Sequence, residues 1–366
     1  MATFPSKANY VTGEVLTATN MNDIGGAINL LDGAQFAAGK NKIINGDFGI
    51  NQRAFTTTTT TGYMFDRFAS FTSDGTVTYS AQTFTPGTAP VAGYESKNFL
   101  RCVTTGQTAT SAAANVSQKI ESVRTFAGQT VTISFWAKAG SGTPKVAVEF
   151  QQQFGSGGSP SSSVGVYAGQ VTLSTSWARY SLTVAVPSIA GKTIGTTNDG
   201  ACQLVLWYSA GSDFNSRTGS LGIQSNTFDV WGVQTENTST ASNFQTATGT
   251  IQGELAACQR YFYLSASGTG KPIGNGNNNS ATLMRAVIPF PVTMRTTPTV
   301  VAASGTDYYL YQCAAANDTF NSITLGDVST NAISVFNNTE ISGTAGQGGL
   351  ILTNNASASL AFSAEL

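Results

Sequence analysis

The sequence predicts an all-β protein, and three observations predict it. From Asn41 onward, runs of about four to eight residues rich in Val, Ile, Thr, Tyr, Phe and Trp are separated by clusters of Gly, Ser, Pro and Asn, the punctuation of many antiparallel strands. Within these runs apolar and polar residues alternate, so one sheet face is buried and the other meets solvent. A clear helical period occurs in one stretch, before Asn41.

That stretch is "LTATNMNDIGGAINLLDGAQFA", in which Met21, Ile24, Ile28 and Leu31 recur at spacings of three, four and three, with Thr17 or Thr19 available as N-cap. The spacing predicts one short amphipathic helix. Gly25 and Gly26 each cost about 1 kcal/mol relative to Ala in a helix interior. The stripe therefore needs a surface to bury against: another chain, a neighbouring protein, or its own domain.

"NKIINGDFGINQRAF", residues 41–55, opens the β region. Alternate residues can face a core while Asn45, Gly46 and Asp47 make a turn, with Arg53 and Asp66 available to pair. An alternative gives Asp47 to a structural calcium as an oxygen ligand, although no acidic cluster accompanies it. The threonines Thr56 to Thr61 read as a loop. Strands follow in "TVTISFWAKA", "KVAVEFQQQF", "RYSLTVAVP", "CQLVLWYSA" and "TFDVWGVQTE". Near Gly249 a short polar linker leads to a helical turn and a second β region, in which "GNGNNNS", Gly274 to Ser280, reads as a flexible loop and "SASLAFSAEL" as a last strand.

Composition narrows the function. Charged residues make up 10% of the 366, and 18 Lys and Arg face 19 Asp and Glu, which leaves no counter-charge for a phosphate backbone. Nucleic acid is excluded as a partner. A nearly uncharged exterior gives little repulsion against self-association. There is no His, which removes the usual general base and the commonest metal ligand. Cys102, Cys202, Cys258 and Cys313 stand far apart without a CxxC pair and read as buried thiols, with one or two disulfides left open. No cofactor is implied. The start lacks a signal-peptide core and no run approaches the roughly 18 apolar residues of a membrane helix, so membrane insertion is not expected.

Sugar recognition uses exposed aromatic faces and amide or carboxylate groups. "DYYLYQ", Asp307 to Gln312, is the best such cluster: Tyr309 and Tyr311 share one strand face and Tyr308 takes the other, so at least one ring is expected at the surface. Cross-strand packing or trimer contact is the competing role. Trp136, Trp177, Trp207 and Trp231 sit in apolar strands and are assigned to burial. Glu254 and Arg260 read as caps or inter-domain pairs. A glycosidase needs two carboxylates about 5 to 9.5 Å apart, and the acidic residues here are sparse and isolated, so no enzyme is expected.

The opening run, read with "FDRF", "FWAKA", "TSWARYSLTVAVP" and "FDVWGVQTEN", resembles a jelly-roll module of bacteriophage tail-fibre and other virion proteins that is itself similar to carbohydrate-binding modules. "ELAACQRYFY" and "FPVTMRTTPTV" resemble the section that often follows it, and "YVTGEVLTATNMNDI" the N-terminal segment by which such proteins attach to the particle. The resemblance covers nearly the whole chain. It implies residues 1–38 as a virion-attachment segment carrying Met21, Ile24, Ile28 and Leu31 as attachment or trimer contacts, residues 39–247 as a jelly-roll β-sandwich, and residues 248–366 as a β-sandwich-like distal tip. It further implies a homotrimer on the phage particle, made in the bacterial cytoplasm, that joins other phage proteins by its N-terminus and binds host surface glycans. The absence of a repetitive shaft keeps a head decoration or tail adaptor as the alternative, with a polysaccharide depolymerase behind it.

Overall fold

The computed structural model describes residue 17 and residues 39–313 and 317–366. The stripe of Met21, Ile24, Ile28 and Leu31, with its attachment role, lies outside the described residues. The described chain is an all-β protein of two sandwiches.

The first sandwich pairs two antiparallel sheets of six strands each. One sheet runs, edge to edge, through Thr57–Thr58, Thr76–Thr83, Asn98–Thr105, Asn226–Glu236, Thr130–Ala139 and Ala178–Ala185. The other runs through Gly62–Tyr63, Ala69–Ser73, Ala113–Glu121, Ala201–Ala210, Lys145–Gln153 and Val164–Thr172. The strong alternation of Thr130–Ala139 sends Val131, Ile133 and Phe135 inward, and Lys145–Gln153 does the same with Val146, Val148 and Phe150; all six join one buried core. Burial of each such side chain stabilises by about 1.5–3 kcal/mol, which is what fixes which face of each strand looks out.

The opening stretch is a polar joint, as the turn reading expects. Asn45, with φ of 61°, is buried; its amide donates to Ile50 O (2.8 Å) and Asp66 O (3.0 Å) and accepts from Ile50 N–H (2.8 Å). At Gly46 the chain passes so close to the Asn226–Glu236 strand that a Cβ would lie 2.1 Å from Val233 O. Arg53 and Asp66 do not pair: Asp66 accepts from the Gln52 backbone N–H and side-chain amide, and Arg53 pairs instead with Glu365 (2.9 Å). Thr57–Thr58 is not loop but a two-residue edge strand on Tyr79–Ser80.

The helix Ile251–Gln259, capped by the Thr250 hydroxyl accepting from Gly253 N–H, leads to the second sandwich. Its smaller sheet orders Phe262–Ser267, Ser359–Ser363 and Thr299–Ala302. Its larger sheet has seven strands, with Pro272–Ser280 between Gly348–Thr353 and Leu283–Pro289. The expected flexible loop "GNGNNNS" is thus a central strand. Pairing on both sides supplies ladder hydrogen bonds that outweigh the poor intrinsic strand preference of Asn and Gly, and Ile273 and Asn278 turn inward while Asn275 and Asn277 stay exposed. Cys102, Cys202 and Cys258 are buried thiols outside any disulfide. Among the described residues no helix is long and apolar enough to cross a membrane.

Candidate functional site

The structure corrects the tyrosine cluster. Tyr309 and Tyr311 share a face, but that face is the core: both are 0% exposed. Tyr309 donates to Ala303 O (2.7 Å) and Ser359 O (2.8 Å), and burial pushes its hydroxyl up to about 12. Tyr311 donates to Gln347 O (3.1 Å). Neither ring presents a face to a sugar. Tyr308, half-buried, is the member of the cluster that reaches the surface.

The outward face of the second sheet of the first sandwich holds a different constellation. Cross-strand register places Phe71, Asn115, Trp207 and Ala147 in one row, then Ala69, Ser117, Val205 and Glu149, then Lys119, Gln203 and Gln151, with Gln153 beyond. These are the alternate positions left over when the apolar residues of each strand turn inward. All of them but Ala69, Ala147, Glu149 and Lys119 line a trough of about 290 Å³. At one end Phe71 is 42% exposed. At the other stand the three glutamine amides. The trough runs across four strands, roughly 14 Å at the usual spacing between neighbours.

A short insertion shapes the aromatic end. After the Ala201–Ala210 strand, a 3₁₀ turn at Ser212–Phe214 and a helical turn at Asn215–Thr218 fold over the sheet, putting the Phe214 ring 5.0 Å from that of Trp207. The Arg217 guanidinium lies 5.0 Å from the Trp207 ring centroid. Glu149, 1% exposed, ties the group together by accepting from Arg217 Nε (2.9 Å) and Nη2 (3.0 Å) and from Trp207 Nε1 (3.0 Å). Gly165 on the neighbouring strand leaves room for this carboxylate, since a Cβ there would stand 2.9 Å from its Oε1. Arg217, the charged residue of the lining, is thereby neutralised, and the rest of the lining is amide, hydroxyl and apolar. Such a surface can stack a pyranose face and pair its hydroxyls, and offers no group for acid or base catalysis. Trp207, buried as the sequence expects at 1% exposed, is its floor and support rather than a free platform.

A second cleft, of about 220 Å³, gathers Asp47, Tyr94, Glu95 and Glu254 beside the start of the Ile251–Gln259 helix. Its acids are engaged. Tyr94 donates to Asp47 Oδ2 (2.7 Å), and Gly49 N–H to Asp47 Oδ1 (3.2 Å). Glu254 accepts from Asn45 N–H (2.7 Å) with one oxygen and from Thr248 N–H (2.7 Å) and its hydroxyl (2.9 Å) with the other. Burial pushes the Glu254 carboxyl up despite these bonds. Glu254 is therefore a tie between the opening turn and the helix. Among the described residues no group of three His, Cys, Asp or Glu is placed to hold a metal ion.

No protein-family model matches the chain, and no curated protein matches it. Solved structures that it resembles include the enzymatically active domain of tailspike protein 4 from bacteriophage CBA120, at 15% identity and TM-score 0.31, over 54% of this chain and 21% of that one. The similarity thus spans about a fifth of the tailspike chain. The CBM22-2 xylan-binding domain from Paenibacillus barcinonensis Xyn10C aligns over 47% of this chain and 92% of its own at 18% identity and TM-score 0.30. A family 11 carbohydrate-binding module from Clostridium thermocellum, in complex with a mixed-linked tetrasaccharide, aligns over 50% and 97% at 12% identity and TM-score 0.29. At such scores these likenesses carry nothing about activity, and what the trough can bind follows from its own residues.

Proposed function

We propose that the protein is a non-enzymatic phage virion adhesin, a homotrimeric tail fibre or receptor-binding protein that attaches by residues 1–38 and holds host surface glycan in the trough of its first sandwich, with residues 248–366 as the distal tip. The observation that supports the binding role is the trough itself: an exposed phenylalanine face and three outward glutamine amides on a rigid sheet, around a neutralised arginine. Rigid strands hold these groups in place before a ligand arrives, which lowers the ordering cost of binding. The virion role is supported by the order of motifs along the sequence and by the nearly uncharged exterior.

The experiment is adsorption of the purified protein to host cells and to isolated host polysaccharide. Saturable binding, weakened at least about tenfold in Phe71→Ala, is the expected result. Absence of adsorption to any host surface would overturn the receptor role and favour a decoration or adaptor. Release of reducing sugars from that polysaccharide, abolished by changing one carboxylate of the Asp47 cleft, would replace adhesion with depolymerisation.

A further inference from the structure

We propose, building on the glycan reading of the trough, that its amide end selects a 2-acetamido sugar. Four side chains there form one run of hydrogen bonds. Gln153 Nε2 donates to Gln151 Oε1 (3.2 Å) and to Gln203 Oε1, and Gln203 Nε2 donates to Ser117 Oγ (2.9 Å).

What that run leaves over decides what it recognises. Both hydrogens of Gln153 Nε2 are used, so its Oε1 remains as an acceptor. Gln151 accepts with Oε1, so its Nε2 remains as a donor. Neither free atom is buried. They stand on alternate residues of one strand, on the same outward face, with their amide groups already in contact. Turning all three amides over together keeps every link and exchanges which glutamine offers the donor and which the acceptor, so the complementary pair survives either orientation.

A secondary amide carries the matching pair, a C=O to accept and an N–H to donate at separate atoms. A vicinal pair of sugar hydroxyls can also offer a donor and an acceptor on separate oxygens, but it carries no methyl group, and the methyl is what sets the acetamido group apart. The acetamido methyl needs an apolar seat, and Val205, two residues from Gln203 along its strand, supplies one in the trough floor. Phe71, three strands away, stacks a sugar further along the same chain. The trough therefore takes an oligosaccharide with its acetamido unit at the glutamine end. An acidic sugar would find Arg217 already held by Glu149.

The test is calorimetric titration of the full chain with N,N′,N″-triacetylchitotriose and with cellotriose, which has the same length and linkage but hydroxyls in place of the acetamido groups. Triacetylchitotriose is expected to bind about tenfold tighter or more, with the preference lost in Gln151→Ala and Gln153→Ala while circular dichroism stays unchanged. If the two trioses bind alike and both are lost in Phe71→Ala, or if neither binds while host polysaccharide still binds through Phe71, the acetamido inference falls and the glycan reading stands. If triose or polysaccharide binding is indifferent to Phe71→Ala, the trough is not the site and both fall.

Discussion

Arg67 and Glu365 form a buried ion pair that ties the first sandwich to the chain just past the Ser359–Ser363 strand. The Arg67 side chain is 1% exposed and that of Glu365 6%. Arg67 also donates to Lys119 O (2.7 Å) and lies 3.4 Å from the Tyr261 ring centroid, while Arg53 joins Glu365 from the other side (2.9 Å). Burial pushes the Arg67 guanidinium below its ordinary range, so the pair stands only because its partners are in place.

Glu365→Ala takes from Arg67 and Arg53 the carboxylate they share. The expected loss is about 3–5 kcal/mol, the usual cost of removing one partner of a buried pair, read by urea unfolding. A loss under about 1 kcal/mol, the range of an exposed pair, would show that the two sandwiches are held by other contacts.

Gly46→Ala tests the opening stretch. Its new Cβ would meet a backbone oxygen rather than a side chain that can turn away. A destabilisation of about 1–3 kcal/mol, of the order that overpacking costs, is expected in thermal unfolding. An unchanged melting temperature would mean that the turn does not press on Val233.

Tyr309→Phe separates core from site. The hydroxyl bonded to Ala303 O and Ser359 O is removed, leaving buried carbonyls short of a donor at a cost of about 1–3 kcal/mol. Glycan affinity should not change, whereas Phe71→Ala should lower affinity with little effect on stability. The opposite assignment of effects would return the binding role to the tyrosine cluster.

Glu121 makes the joint acid-sensitive. Burial works against its charged form, but hydrogen bonds from Arg260 (2.9 Å) and the Tyr261 hydroxyl (2.9 Å) outweigh it and hold the carboxyl below its ordinary 4.5. A lowered folded value means that the stabilisation is present above pH 4.5 and is lost as pH falls through the folded value. Wild type should therefore exceed Glu121→Gln in stability at neutral pH, and the gap should close as pH falls below 4.5 and through the folded value. A gap that persists or widens in acid would contradict this.

What the sequence could show depended on how local the cause was. The Thr130–Ala139 and Lys145–Gln153 strands were legible because alternation is a property of neighbours. The same alternation put Tyr309 and Tyr311 on one face but could not say that this face was the core. Two of the trough's amides, Gln151 and Gln153, are alternate positions of "KVAVEFQQQ", but nothing local marks them as a site. Their meeting with Gln203 and Ser117 depends on a register between strands 52 and 86 residues apart in sequence. Arg53 found Glu365, 312 residues away, rather than nearby Asp66 for the same reason. "GNGNNNS" misled because its strand state is imposed by two flanking strands against its own preference.

The most direct test of glycan binding in the trough is a structure of the protein with the oligosaccharide it binds. Sugar rings are expected across the second sheet, one against Phe71 and one within hydrogen-bonding reach of Gln151 and Gln153. Sugar bound instead on the second sandwich, or in the Asp47 and Glu254 cleft with the trough bare, would contradict it.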